Sequence, residues 1–468
     1  MLQTIATRPL APADSRFRMR SRVHPVSRAV VPMAPGLPLI ANAVDLLVNP
    51  LAFFVRSYHE LGPVFRTAGP GRGYTVLAGP EANRFLPHEG ERYLDNKPIY
   101  ARLAGQLASA NYPIATDGAR HTHLRRTIKA GFTHEALASY APRMLATADH
   151  IAREWRPGQR LRVLETMHRL VGEQLGLAMA NRPLGELLGD AVTFARYSVG
   201  AGLGAYPAVM ARFPHYLLAK RRMLAFMREV VAAHRAELPG AGRDADFVDL
   251  LLAATDAEGR PFADEDVIAN AQMVYSNSLL YGAPACAFLL YGLLRHPEAL
   301  ARVRPEVDAL FASSTADARA LFHAKLLRAA ALESMRLYPI ALATPRVVAE
   351  PFEFAGYELA AGTVTLWAVS VCHFLPEVFA EPYAFDLDRY SEPRNEHRQA
   401  GMLVRFGLGS HSCVGAGLVD ALMMTTVAAT LRHVELALDP PDYELRRVVN
   451  PFPEPEARFA VRVVARRD

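Results

Sequence analysis

One thiol stands out by its neighbours. Residues 406–415 read Phe-Gly-Leu-Gly-Ser-His-Ser-Cys-Val-Gly, which puts three glycines and Cys413 into a turn. An apolar helical pattern follows, through Leu418, Ala421, Leu422, Thr425 and Val427. Glycines at this density mark a backbone that bends sharply and admits close approach. A thiol just ahead of a helix start meets the positive end of the helix dipole and unpaired N–H groups, and both favour the metal-binding thiolate. A cysteine beside a glycine-rich turn is, taken alone, more often an inert buried residue.

The spacing carries more than the cysteine does. Phe406, Gly409, Cys413 and Gly415 fit the pattern F-x-x-G-x-x-x-C-x-G, and the stretch resembles the haem-binding loop of the cytochrome P450 family. The resemblance implies that Cys413 is the axial ligand of a haem iron. A thiolate in that place pushes electron density toward O–O cleavage. It further implies a mainly helical fold with a small β lobe, and haem b held noncovalently, since the C-x-x-C-H attachment motif is lacking.

Other elements must position that loop. Glu333-x-x-Arg336, followed by Leu337-Tyr338-Pro339, is an ordinary helical ion pair by spacing. It also resembles the family's E-x-x-R helix. Arg389, within Phe385-Asp386-Leu387-Asp388-Arg389-Tyr390, resembles the meander arginine, with Leu387 and Tyr390 departing from the family's Pro and Phe. The resemblance makes Glu333, Arg336 and Arg389 a buried structural triad, because a buried charge is tolerated only when paired. His121 and Arg125 stand four apart on an expected helix over residues 120–138 that starts near Asp117-Gly118. By resemblance, they, Arg346 and His411 contact the haem propionates. Solvated basic side chains are the plainer reading of each.

Residues 267–294 contain no Asp, Glu, Lys or Arg. A run of this length raises the question of a membrane span. The interspersed Asn270, Gln272, Ser276, Asn277 and Ser278, and Pro284 within it, argue instead for a buried helix of a non-membrane protein. In the resembled family such a helix crosses the distal haem face and reads [AG]-G-x-[DE]-T. Here Asn277-Ser278-Leu279-Leu280-Tyr281 takes that place. Leu280 replaces the acid and Tyr281 the alcohol, the two groups that deliver protons during dioxygen activation. Asn277, Ser278 and Tyr281 are the candidate distal polar groups. They equally well serve only to satisfy carbonyls loosened by Pro284.

The remaining chain is read more coarsely. It has 468 residues, 51% hydrophobic and 21% charged, with a net charge of +5. These values suit an ordinary globular protein and give no sign of nucleic-acid binding. Three cysteines make no disulfide framework and suit a reducing, cytoplasmic setting. Residues 1–31 hold six arginines and one acid and are expected to form a basic disordered tail. Residues 32–468 are expected to form one domain. A helix is expected over residues 50–61, strands over 64–67 and 74–77 with a hairpin loop at 69–73, a loop near 98–113, strands with turns over 352–371, and a last strand at 459–464.

The expected function, by resemblance, is oxidation of a hydrophobic small molecule such as a terpenoid, steroid, fatty acid or secondary-metabolite intermediate. The electrons would come from a separate ferredoxin or flavoprotein, and the enzyme would be a monomer. Residues 98–113, 278–285 and 340–344 are the expected pocket walls. Two alternatives stay open: a peroxide-driven or redox-neutral haem-thiolate enzyme, favoured by the missing acid and alcohol, and a haem protein that binds a ligand without turnover.

Overall fold

The uncharged stretch is helical and buried, but it is not one regular helix. Asp264–Asn277 is α-helix, Ser278–Gly282 is a single π turn, and Ala283–Arg295 is α-helix again. Asp264, Glu265 and Asp266 in the first turn complement the positive end of the dipole. Among the described residues, Asp264–Arg295 is the one helix long and apolar enough to cross a membrane, yet 83% of its most apolar window is buried inside the protein. It is a core helix, as its interspersed amides and hydroxyls suggest.

These features come from a computed structural model, which describes residues 30–36, 42–69, 72–107, 109, 111–240, 243–311, 318–449 and 451–467. The basic lead over residues 1–29, residues 37–41 and the tip of the hairpin loop (70–71) lie outside the described residues.

Contacts sort the chain into two compact units. The first comprises residues 1–99, 341–412 and 444–449. It carries a five-stranded sheet whose neighbouring strands, in spatial order, are Val64–Gly69, Arg72–Ala78, Val364–Ala368, Thr344–Val348 and Leu94–Asp95. Val64–Gly69 and Arg72–Ala78 form the expected antiparallel hairpin, with Val64 opposite Leu77. Helix Pro50–Leu61 packs beside it and buries Leu51, Phe53, Phe54 and Val55. Proline at its first position loses no hydrogen bond there. An aromatic core of Phe352, Phe354 and Trp367, with Phe85 stacked on Trp367 at 6.2 Å, fills the space beneath the sheet.

The second unit comprises residues 100–340, 413–443 and 450–468 and is mostly helical. Its core helices include Val163–Met179, Ala283–Arg295, Lys325–Leu337 and Ala416–His433. A small sheet of Arg160–Arg162, Ala460–Arg466 and Val434–Leu438 closes one edge, and Ala460–Arg466 is the expected last strand. The fold is therefore mainly α with a small β lobe, as expected.

Two local expectations are corrected. Residues 98–113 are not a loop throughout: Lys97–Leu107 is an α-helix. Pro98 lies in its first turn, where a missing N–H is harmless, and only Leu103 is buried, so the apolar period is faint. Residues 120–138 are not one helix. Gly118–Lys129 ends in a 3-10 turn at Ala130–Phe132, and a new helix begins at His134, where the Thr133 side chain accepts the Ala136 N–H at 3.2 Å. Gly131 sits in that turn because a Cβ there would overlap the Phe247 ring.

Candidate active site

The three thiols differ sharply. Cys286 is buried, points its S–H at the Leu422 carbonyl at 3.7 Å, and is pushed up to about 12 by burial. Cys372 is buried against the Asn83 amide at 3.3 Å, and burial likewise pushes it up to about 12. Neither is reachable or ionisable at working pH. Cys413 is exposed as a residue, yet surrounding protein desolvates its thiol. Burial raises its pKa, against the pull of the Gly415 N–H and the Arg125 charge, with Asp420 adding to the rise. The helix terminus alone therefore does not make a thiolate, contrary to the simple dipole argument. A metal ion held there would displace the thiol proton.

The turn around the cysteine is built for that display. Gly415 precedes helix Ala416–His433, and the Val419 N–H reaches the Gly415 carbonyl at 3.0 Å. Upstream, Gly407 and Gly409 hold φ values of 73° and 71°, and the Ser412 N–H bonds the Gly409 carbonyl at 3.1 Å. The Glu91 carboxylate accepts the Ser410 N–H, and a Cβ at position 409 would overlap it. Phe406 is partly buried under the Arg405 guanidinium, 4.7 Å from the ring centre. Asn96 Nδ2 donates to His411 Nδ1 at 3.0 Å, so His411 carries its proton on Nε2. Glu91 and Asn96 are invisible to sequence reasoning, since nothing local marks them.

The basic candidates are placed as follows. His121 is buried and Arg125 half-buried on helix Gly118–Lys129, and Arg125 is close enough to Cys413 to act on its ionisation. Arg346 lies buried in the five-stranded sheet, with Nη1 donating to the Pro345 carbonyl at 2.8 Å.

Along residues 267–293, every residue is buried except Asn277 and Tyr281. Four positions apart, these two form the one open face of the central helix. Ser278 and Leu280 are buried, so Ser278 is not part of that face. The Tyr281 ring packs on Phe452, centroids 4.4 Å apart. Burial, then Tyr100, Tyr112 and Cys413, raise the Tyr281 phenol far above its ordinary range, so it keeps its proton. Cys413 thus lies near enough to the Tyr281 phenol to bear on its ionisation. The carbonyl of Leu279, in the π turn, accepts from His168 Nε2 at 3.1 Å. The carbonyls loosened around Pro284 are served here by a histidine from another helix, not by Asn277 or Ser278. Next to Phe452, Glu454 takes both its oxygens to Arg196 Nη2 at 2.9 and 2.8 Å. Burial pushes Glu454 up to about 7, with Arg196 holding it back.

The expected triad members are all fully buried. Arg336 Nε and Nη2 bond the two oxygens of Glu333 at 2.7 and 2.8 Å. Arg389, in the other unit, donates to Glu396 at 2.9 Å and to the Glu381 carbonyl at 2.6 Å. Glu396 was not legible as its partner.

Two further polar clusters emerge only in three dimensions. Asp266, at the start of the central helix, accepts from Ser109 Oγ at 2.7 Å and Asn111 Nδ2 at 2.9 Å, and Asn270 Nδ2 donates to the Asn111 carbonyl at 2.9 Å. This network pins the segment after helix Lys97–Leu107 to the central helix. His234, Asp246 and Asp249 offer ligand atoms within 4.8 Å of one another. Their oxygens are already used by Arg243, His234 and the cap of helix Phe247–Leu252, which makes the cluster a structural clasp.

Comparison with known proteins agrees with this fold. The family model described as Cytochrome P450 matches residues 208–456. The chain is 26% identical over 437 residues to cyclooctat-9-en-7-ol 5-monooxygenase of Streptomyces melanosporofaciens, covering 89% of this chain and 94% of that protein. It is 29% identical over 226 residues to sterol 14alpha-demethylase of Mycolicibacterium vanbaalenii, covering 48% of this chain and 50% of that one. Among solved structures, the haem domain of cytochrome P450DA superposes with a TM-score of 0.80 at 22% identity, over 93% of this chain and 97% of that one. The retinoic-acid-bound cyanobacterial CYP120A1 gives 0.77 at 21% identity, over 93% and 99%.

Proposed function

Because this chain belongs to the cytochrome P450 family, and is an oxidoreductase of the monooxygenase type, we propose that it oxidises a largely hydrocarbon substrate of terpenoid or sterol type. Its electrons come from a separate ferredoxin or flavoprotein. The observation that carries this reading is Cys413. It is the accessible thiol among three, it takes an amide N–H from Gly415, and Arg125 bears on it. That donor set fits haem b, an iron group with anionic edges. When bound, haem supplies the redox chemistry; the protein supplies orientation and charge.

In this reading Cys413 Sγ is the iron ligand, and Phe406, Gly409 and Gly415 shape its turn. His121, Arg125, Arg346 and His411 are the partners of the haem carboxylates. Glu333, Arg336 and Arg389 stiffen the scaffold behind the ligand loop. Tyr281 holds a proton on its phenol oxygen, and Asn277 orients water or substrate beside it. The Tyr281–Phe452 pair excludes bulk water from that face. The names of similar proteins support the substrate class: an alkenol, a sterol and retinoic acid are all mostly hydrocarbon with few polar groups. Three cysteines, none paired, suit a cytoplasmic enzyme.

Spectral titration of the ferric protein with terpenoids, sterols, fatty acids and aromatic peptides tests the proposal. The first two classes are expected to shift the haem band at micromolar concentration. Binding confined to aromatic peptides would overturn it.

One observation favours a second reading. Leu280 and Tyr281 stand where the family places acid and alcohol, which suits a peroxide-driven or redox-neutral reaction. Turnover with NAD(P)H and a redox partner, set against turnover with peroxide, separates the two. Ligand-induced spectral shifts with no turnover by either route would instead identify a ligand binder.

A further inference from the structure

The π turn in the central helix does not close by backbone hydrogen bonds alone. In α register the Leu279 carbonyl would accept from the amide of residue 283. Here the Ala283 amide turns back to the Ser278 carbonyl, five residues earlier. Continuing that register would hand the Leu279 carbonyl to residue 284, a proline with no N–H. The carbonyl is satisfied all the same, by His168 Nε2 from helix Val163–Met179, at 3.1 Å. A carbonyl can only accept, so the imidazole carries its proton on Nε2. His168 is itself buried, at 8% exposure. A neutral ring suits that place, since burial and the nearby Arg196 lower its pKa to about 4.

We propose that His168 is a positioning residue: its Nε2–H stands in for the amide proton that Pro284 lacks, holds the π turn, and so fixes the direction in which Asn277 and Tyr281 face the site. The purpose of that direction rests on the distal role given to Tyr281 above; the bond itself does not. Without this donor, a buried carbonyl in the middle of the core helix is left unpaired, and the turn is free to relax toward α register. Relaxation would swing the Tyr281 ring off Phe452 and open or block the one accessible face.

The sequence supplies its own control. His168→Leu removes the donor at similar volume. His168→Gln keeps an N–H of comparable reach. Pro284→Ala restores a backbone amide where the proline has none. Each variant is made as the haem-loaded full chain and read in two ways, by melting temperature and by the dissociation constant of imidazole for the ferric iron. The reduced carbon monoxide spectrum checks that thiolate ligation survives.

His168→Leu is expected to keep the thiolate band, melt lower, and change the imidazole constant by about fivefold, the scale of one buried hydrogen bond. His168→Gln should return both readouts toward the parent. In the Pro284→Ala background, His168→Leu should have a much smaller effect on both. Equal defects in the Leu and Gln variants, or an undiminished effect in the Pro284→Ala background, would overturn the proposal. If His168→Leu alone fails to accumulate, the double variant must accumulate, and its failure to do so counts equally against the idea. Unchanged O2-dependent turnover in Tyr281→Phe would remove the distal role of that phenol and leave this inference standing, since it is read from affinity and melting.

Discussion

Arg336 grips both carboxylate oxygens of Glu333 through Nε and Nη2, at 2.7 and 2.8 Å, with both side chains fully buried. Such a pair is weak evidence for stability but strong evidence of dependence. Glu333→Ala removes the carboxylate that takes two of the guanidinium's hydrogen bonds in the core and is expected to destabilise the protein by about 3–5 kcal/mol. Replacing both partners with apolar residues of similar volume, as in Glu333→Leu with Arg336→Met, should cost much less. Urea unfolding of the two variants checks this, and equal losses would contradict it.

The ligand assignment separates the three thiols. Cys413→Ala should abolish the long-wavelength band of the reduced carbon monoxide complex, and Cys286→Ala and Cys372→Ala should retain it. Their thiols are buried and pushed up to about 12. A colourless preparation in the presence of added haem, or a Cys413→Ala protein with an unaltered band, would refute the haem-thiolate reading.

Gly409 combines a φ of 71° with the Glu91 carboxylate against its α-carbon. Gly409→Ala meets both obstacles, and backbone strain of this kind costs about 1–3 kcal/mol. The variant should lose haem faster on dilution. Adding Glu91→Ala should relieve only the steric part and recover haem retention incompletely. Full recovery would mean that the backbone conformation is not strained for alanine.

The distal pair makes a prediction about chemistry. Tyr281→Phe removes the phenol O–H but keeps the ring on Phe452. O2-dependent product formation should fall about tenfold or more, in line with loss of a positioned proton donor, while ligand-induced spectral shifts persist. Installing Leu280→Asp with Tyr281→Thr should raise the O2-dependent rate. No change in that rate on either substitution would sink the proton-delivery argument.

His168 also predicts a pH effect on stability. Its pKa falls from 6.5 to about 4 in the fold, through burial and then Arg196, with the Leu279 bond opposing. Between those values the unfolded chain binds the proton and the native protein does not, so stability rises with pH across this window and is lost as pH falls. At about 1.4 kcal/mol per pH unit, the contribution lost by pH 4 is on the order of 3 kcal/mol. His168→Gln should flatten the dependence between pH 6.5 and 4, measured by urea midpoints. An unchanged slope would show that another group titrates there.

Sequence reading reached the fold, and chose its candidate iron ligand, through local signals. The glycine spacing around Cys413, the Glu333–Arg336 spacing and the uncharged run are each written in consecutive residues. Helix Pro50–Leu61 and the hairpin that follows were legible because proline and glycine punctuate them. Helix Lys97–Leu107 was missed because its exposed face hides the apolar period. Glu91, Asn96, His168, Glu396 and Phe452 were missed for another reason. Glu396 stands only seven residues from Arg389 but in irregular chain, and the other four act on groups far off in sequence, such as Glu91 on Ser410 across a separation of 319, so no periodicity encodes the meeting. Ser278 was grouped with Asn277 and Tyr281 because the residues are adjacent, and the π turn decides which of them faces outward.

That turn carries one residue more than a straight helix would hold. Removing a single residue between positions 278 and 282 would let the turn close in regular α register, leaving the two flanking helices in phase. A different side chain would then stand on the open face, with the buried faces on either side kept near their old partners. A length change in this turn thus exchanges the residue on the open face without any substitution. Setting Asn277–Tyr281 against the family's motif across the turn therefore identifies a position in the chain, not a direction in space.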